Sequence, residues 1–105
     1  MVKINNIDSS LLVEAILVWT GWRRDVMPRR DDSLLVNRFG TEDTAKLLPV
    51  IKSLEDDFYS SDARFVADDL QEMEKLSSAQ FRKKHPTIAD EIVKAFAWCY
   101  TFDFK

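Results

Sequence analysis

The sequence predicts an all-α, single-domain bundle of about five helices, and three observations carry that reading. Only two glycines and three prolines occur in 105 residues, too few turn formers for a chain built on strands and tight hairpins. Apolar residues recur at three- and four-residue steps in several segments, the period of a helix with one buried face. Ser, Thr or Asp stands ahead of most of those segments, where a side-chain oxygen can accept a bond from the first free backbone N–H groups. With 46% hydrophobic and 31% charged residues, the composition is that of a globular chain. A chain of this length forms one domain, residues 1–105, and buries enough surface to need no staples.

Asp8, Ser9 and Ser10 open the first helix. Leu11, Ala15, Trp19 and Trp22 share one face, Leu12 and Ile16 widen it, and Val13 with Leu17 cover much of the rest. A helix apolar nearly all round is buried on several sides, and Gly21 can end it. Glu14 interrupts the run; a place at the rim near the helix start suits its charge.

Residues 21–40 are the least regular part. Arg23-Arg24-Asp25 and Arg29-Arg30-Asp31-Asp32 flank Pro28. These arginines are a candidate phosphate-binding patch, but each pair adjoins aspartate, which favours local ion pairing in a solvated loop. Ser33 can cap a short helical piece over 34–39 closed by Gly40; so short a run, Leu34-Leu35-Val36, also fits a strand.

Thr41 is placed to cap the next helix, with Leu47, Leu48, Ile51, Leu54 and Phe58 on its stripe. Pro49 lies inside this pattern and predicts a kink or break near Leu48, because it lacks an N–H and its ring crowds the preceding turn. Ser60, Ser61 and Asp62 restart the chain, with Val66, Leu70, Met73 and Leu76 as the expected buried face. Ser77-Ser78-Ala79-Gln80 reads as a capping box for a further short helix that stops at His85, before Pro86. The last helix starts at 87–90. Ile88, Ile92, Phe96, Cys99 and Tyr100 form one face, and its apolar content pairs it with the first helix at the centre. The expected core is Leu12, Ile16, Trp19, Leu48, Ile51, Phe58, Leu70, Met73, Phe96 and Tyr100.

The formal net charge of −3 argues against direct nucleic-acid binding. The longest apolar stretch, Leu11 to Trp19, is about half of what a membrane span needs. Cys99 is the only cysteine, which fits a reducing compartment, and the first residues lack the apolar run of a signal peptide; the expected location is cytoplasmic. His85 and Cys99 alone cannot make a His/Cys metal site. Cys99 lies on an apolar face and reads as core, and His85 as a helix-end residue. Asp69 and Glu72, with Asp68, have the spacing of one half of a helical Mg²⁺ site, but the partnering E-x-x-E is missing, so no metal, cofactor or enzymatic activity is expected.

Between Glu55 and Glu74 eight carboxylates face Arg64 alone. Beside Phe58 and Tyr59 they suit a basic partner, with charge steering the encounter and aromatics supplying anchor area. The expected contact set is Glu55, Asp56, Asp57, Tyr59, Asp62, Asp68 and Asp69. The same acids also fit a plain solvated face. An adaptor using Trp22 or Trp98 as exposed anchors is a second reading, and a metal-dependent nucleotide hydrolase a third.

Three segments carry a resemblance: residues 54–63 (LEDDFYSSDA), 81–86 (FRKKHP) and 95–105 (AFAWCYTFDFK). Over roughly its C-terminal half the chain resembles small bacterial immunity proteins of contact-dependent growth inhibition systems. The resemblance implies a cytoplasmic, non-enzymatic protein that binds the toxic C-terminal domain of a cognate effector and blocks it, often by covering its active site. On the acidic patch, a nuclease or another nucleic-acid-acting protein, whose phosphate-binding cleft those carboxylates could occupy, is a candidate partner. The resemblance places no site: the acidic patch and the arginine-rich 23–38 loop both remain open as the contact, and so does the oligomeric state.

Overall fold

The computed structural model describes residues 8–105. Its regular elements are all helical, with no strand among the described residues: α1 Ser9–Thr20, α2 Asp32–Tyr59, α3 Ala63–Val66, α4 Leu70–Lys84 and α5 Asp90–Asp103. Together they form one flattened all-α body of 42 × 30 × 17 Å. No helix among the described residues is long and apolar enough to cross a membrane.

α1 begins where the Asp8 carboxylate accepts the Ser10 N–H at 2.8 Å. It ends at Gly21, whose φ of 80° is left-handed and whose N–H reaches the Leu17 carbonyl at 3.0 Å. Leu12, Ala15, Ile16 and Trp19 are buried against α2 and α5. Glu14 sits at the rim, as expected, and pairs with Arg38 of α2.

α2 starts two residues earlier than the sequence suggests. Asp31, not Ser33, is the cap, and its Oδ1 accepts the Ser33 N–H at 3.0 Å. Leu34-Leu35-Val36 is helix rather than strand. The expected break near Leu48 does not occur, since α2 runs through Pro49 with helical backbone; its non-helical residue is Gly40, at φ 86° and ψ 165°, where the short helical piece was expected to close. Pro49 and Ala45, whose carbonyl loses its usual donor four residues on, are both exposed. Water can serve that carbonyl, so the proline does not have to end the helix. Beyond Gly40, Leu47, Ile51, Leu54 and Phe58 are buried at the expected steps, while Leu48 is only partly covered.

The segment after α2 departs most from expectation. α3 lasts four residues, stops at an extended Ala67, and α4 begins afresh at Leu70. The Asp68-Asp69 pair causes this restart. Asp69 Oδ1 accepts the Glu72 N–H at 2.8 Å, and Glu72 Oε1 accepts the Asp68 N–H at 2.7 Å. The break turns Val66 and Leu70 outward, 58% and 46% exposed, so neither belongs to the core. The Ser77–Gln80 segment starts no helix; it lies inside α4, with Ser77 Oγ donating to the Glu74 carbonyl at 3.2 Å. α4 does end at His85.

α5 packs on α1, α2 and α4. Phe58 lies wholly inside, its ring centroid 5.0 Å from that of Phe81, 5.7 Å from Tyr100 and 6.1 Å from Phe96. These tilted and edge-on contacts make the aromatic centre of the core. Phe58 is therefore not available as a surface anchor.

Candidate functional site

Three successive residues of a helix point about 100° apart, so the run Glu55-Asp56-Asp57 is dispersed as soon as α2 forms. Glu55 and Tyr59, four apart, face the loop between α1 and α2. Asp57 turns toward the end of α4, its Oδ2 2.9 Å from His85 Nε2. Asp56 is exposed and has no basic partner among the described residues.

Glu55 and Tyr59 enter a polar knot around Arg30. Arg30 donates to Asp103 through Nη1 at 2.7 Å and Nη2 at 3.1 Å, and to the Tyr59 hydroxyl at 2.9 Å. Tyr59 donates to Asp103 Oδ2 at 2.6 Å, and Glu55 Oε2 stands 3.9 Å from Arg30 Nη1. The bond to Asp103 pushes the Arg30 pKa up. Burial, then the Asp103 bond, pushes the Tyr59 hydroxyl well above its ordinary value, so it remains a donor. Burial alone would raise Asp103, but bonds from Arg30 and Tyr59 outweigh it and hold that carboxyl low. Glu55 is raised, because burial exceeds the help it receives from Arg30. This knot joins the α1–α2 loop, α2 and the end of α5, and its side chains remain partly exposed at the surface.

The remaining three predicted residues surround α3. Asp62 Oδ1 accepts from Gln80 Nε2 at 2.9 Å, Asp69 caps α4, and the Asp68 carboxylate projects into solvent. None of the three forms an ion pair with a basic side chain among the described residues. Of the seven predicted residues, Glu55 and Tyr59 thus meet in one place, Asp68 and Asp69 stand together at the start of α4, and Asp56, Asp57 and Asp62 each lie apart.

The stretch that carries these acids also carries exposed apolar side chains. Phe65 is 75% exposed, and Val66, Leu70 and Phe104 join it. Beneath it Arg64 is clasped between two rings, its guanidinium carbon 4.6 Å from the centroids of both Phe65 and Phe104. Arg64 Nη1 donates to the carbonyls of Tyr59 and Ser61 at 3.1 Å each. The Tyr100 hydroxyl donates to the Ser61 carbonyl at 2.9 Å and accepts the Arg64 N–H at 3.0 Å. α3 is therefore held firmly from below while Ala63 is buried and Phe65 and Val66 face out. An open groove of about 650 Å³ runs along α4, lined by Asp68, Asp69, Glu72 and Leu76, with Lys75 the one cation on its wall. Phe65 was not anticipated. Its signal was available: a helix bracketed by Asp62 and Asp68-Asp69 is too short to turn Phe65 and Val66 both inward.

Other candidate chemistry resolves into structure. Cys99 is buried, and burial pushes its thiol up to about 12. No group of three or more His, Cys, Asp or Glu side chains is placed to hold a metal among the described residues. Asp69 and Glu72 serve as caps. Trp22 and Trp98 are half-buried against each other, centroids 5.4 Å apart, rather than free anchors. Local pairing holds for Arg29 with Asp31 at 3.6 Å, but Arg30 reaches across to Asp103 instead. Comparison with protein-family models, with curated proteins and with solved structures finds no match to this chain.

Proposed function

We propose that this chain is an immunity-type protein of a bacterial contact-dependent inhibition system: a cytoplasmic, non-enzymatic binder that neutralises a cognate toxin domain by covering its active or substrate-binding surface. The observation that carries the reading is the ledge of Phe65, Val66 and Leu70, fixed from below by Arg64 and flanked along the chain by Asp62, Asp68 and Asp69, which lack basic partners among the described residues. An exposed apolar patch with a polar rim is the anatomy of a docking site. Carboxylates around it favour a basic surface and speed its encounter. A nuclease fits that chemistry, since its phosphate-binding cleft is basic. The resemblance of the C-terminal half to immunity proteins points the same way.

The test is co-expression with the toxin domain encoded beside this gene, scoring survival and co-purification. Rescue with a stable complex, lost in a Phe65→Ser plus Asp68→Lys variant that still folds, is the expected result. Neither rescue nor complex, with both proteins folded, overturns the proposal.

A further inference from the structure

α1, the loop that follows it and the first turns of α2 enclose two depressions with a common wall. One, of about 390 Å³, reaches Leu34 and Arg29; the other, of about 290 Å³, reaches Leu17, Trp22 and Arg23. Val18, Arg24 and Arg38 line both, so the two form one groove. Its apolar lining is Leu17, Val18, Trp22 and Leu34, each half-buried. The indole nitrogen of Trp22 is buried with no acceptor among the described residues, an unsatisfied donor in the groove wall.

The walls are cationic. Arg23, Arg24, Arg29 and Arg38 are all exposed there, against the carboxylates of Glu14 and Asp25. Arg38 engages Glu14, and Arg29 stands 3.6 Å from Asp31. Arg23 and Arg24 form no ion pair among the described residues, and neither does Asp25. The Asp25 carboxylate lies against the Cα of Gly21, where it leaves no room for a Cβ. Even with Asp25 set against one of the two free arginines, one positive charge is left over, on a chain whose formal net charge is −3. The backbone beneath is tied down. The N–H groups of Arg24 and Asp25 both donate to the Gly21 carbonyl at 2.9 Å, and Arg29 N–H to the Thr20 carbonyl at 2.9 Å. The groove is therefore formed before any ligand arrives, which lowers the cost of binding.

We infer that this groove is a second docking surface, and that it takes an acidic peptide segment of a partner protein carrying one large apolar side chain. That side chain covers Leu17, Val18 and Trp22, and the carboxylates beside it meet Arg23 and Arg24. A nucleic-acid strand suits the groove less well. Bases stack on open ring faces, whereas Trp22 is tilted against Trp98 with ring centroids 5.4 Å apart, and the net negative charge of the chain opposes a phosphate backbone. The groove shares no residue with the Phe65 ledge and prefers the opposite charge, so the inference stands apart from the proposed function.

Fluorescence anisotropy of a labelled peptide, a phenylalanine with three glutamates on each side, titrated with the whole chain, tests this. The expected result is saturable binding that weakens as salt rises. Arg23→Glu/Arg24→Glu should weaken it roughly tenfold, since like charges then face each other. Arg24→Glu alone should weaken it roughly threefold, and it covers the case in which the double variant fails to fold. Lys46→Glu/Lys83→Glu, the same change of net charge at exposed positions outside the groove, should stay within about twofold of wild type. A peptide with serine in place of the phenylalanine should bind roughly tenfold more weakly. No saturable binding, equal losses in the groove and control variants, equal binding of the serine peptide, or tighter binding of a labelled oligodeoxythymidine overturns the inference.

Discussion

Arg30 and Asp103, 73 positions apart, meet in a two-bonded guanidinium–carboxylate pair that fastens the α1–α2 loop to the last turn of α5. Tyr59 completes the contact from α2. Three elements otherwise distant in sequence are locked at one point, and the left-handed backbone of Arg30 is tolerated because that point holds it.

Breaking this pair is expected to destabilise the fold and to do so in a pH-dependent way. Asp103→Asn should cost about 2 kcal/mol at neutral pH, the range for a charge-assisted bond with its partners left behind. The folded-state carboxyl is held below its ordinary 3.8, so its contribution is fully present above that value and fades as pH falls through the lower folded value. The gap between wild type and variant in urea denaturation should therefore be widest near neutrality and close in acid. A gap unchanged down to the acid transition would show that the carboxylate's charge contributes nothing.

Pro49→Ala is expected to stabilise the protein by about 1–3 kcal/mol. The substitution restores a donor for the Ala45 carbonyl on an exposed helical face and removes a ring from a helix interior. Thermal melts of the two proteins would decide it, and a lower midpoint for the alanine variant would show that the proline suits its site in the helix.

Loss of the α4 cap should be felt as well. Asp69→Ala removes the oxygen that accepts the Glu72 N–H and should cost about 1 kcal/mol, whereas Asp68→Ala, whose side chain takes no part, should be nearly neutral. Equal costs for both in chemical denaturation would refute the assignment.

Phe58 and Phe65 form the sharpest contrast. Phe58→Ala empties the centre of the core and is expected to cost about 3–5 kcal/mol. Phe65→Ser changes a ring that is 75% exposed and should shift stability by no more than about 1 kcal/mol, its stacking on Arg64 included, while weakening partner binding. A Phe65 variant that unfolds would make the ledge a structural feature.

Much of the fold was legible in the chain itself, for reasons that act within a few residues. The apolar period of Leu12, Ile16 and Trp19, the left-handed Gly21, the stripe from Leu47 to Phe58 and the stop before Pro86 depend on neighbours in sequence, and each stands where that logic puts it. The helix phase of Glu55, Asp56 and Asp57 was equally local and already implied that they would separate. Which way each separated residue would face was not. Glu55 and Tyr59 were drawn inward because Arg30 and Asp103 wait there, and Leu70 was turned outward because two aspartates restarted the helix at that point. Periodicity determines which residues share a face; only the packed structure decides which face is covered, because burial is a property of the neighbouring elements and not of the segment itself.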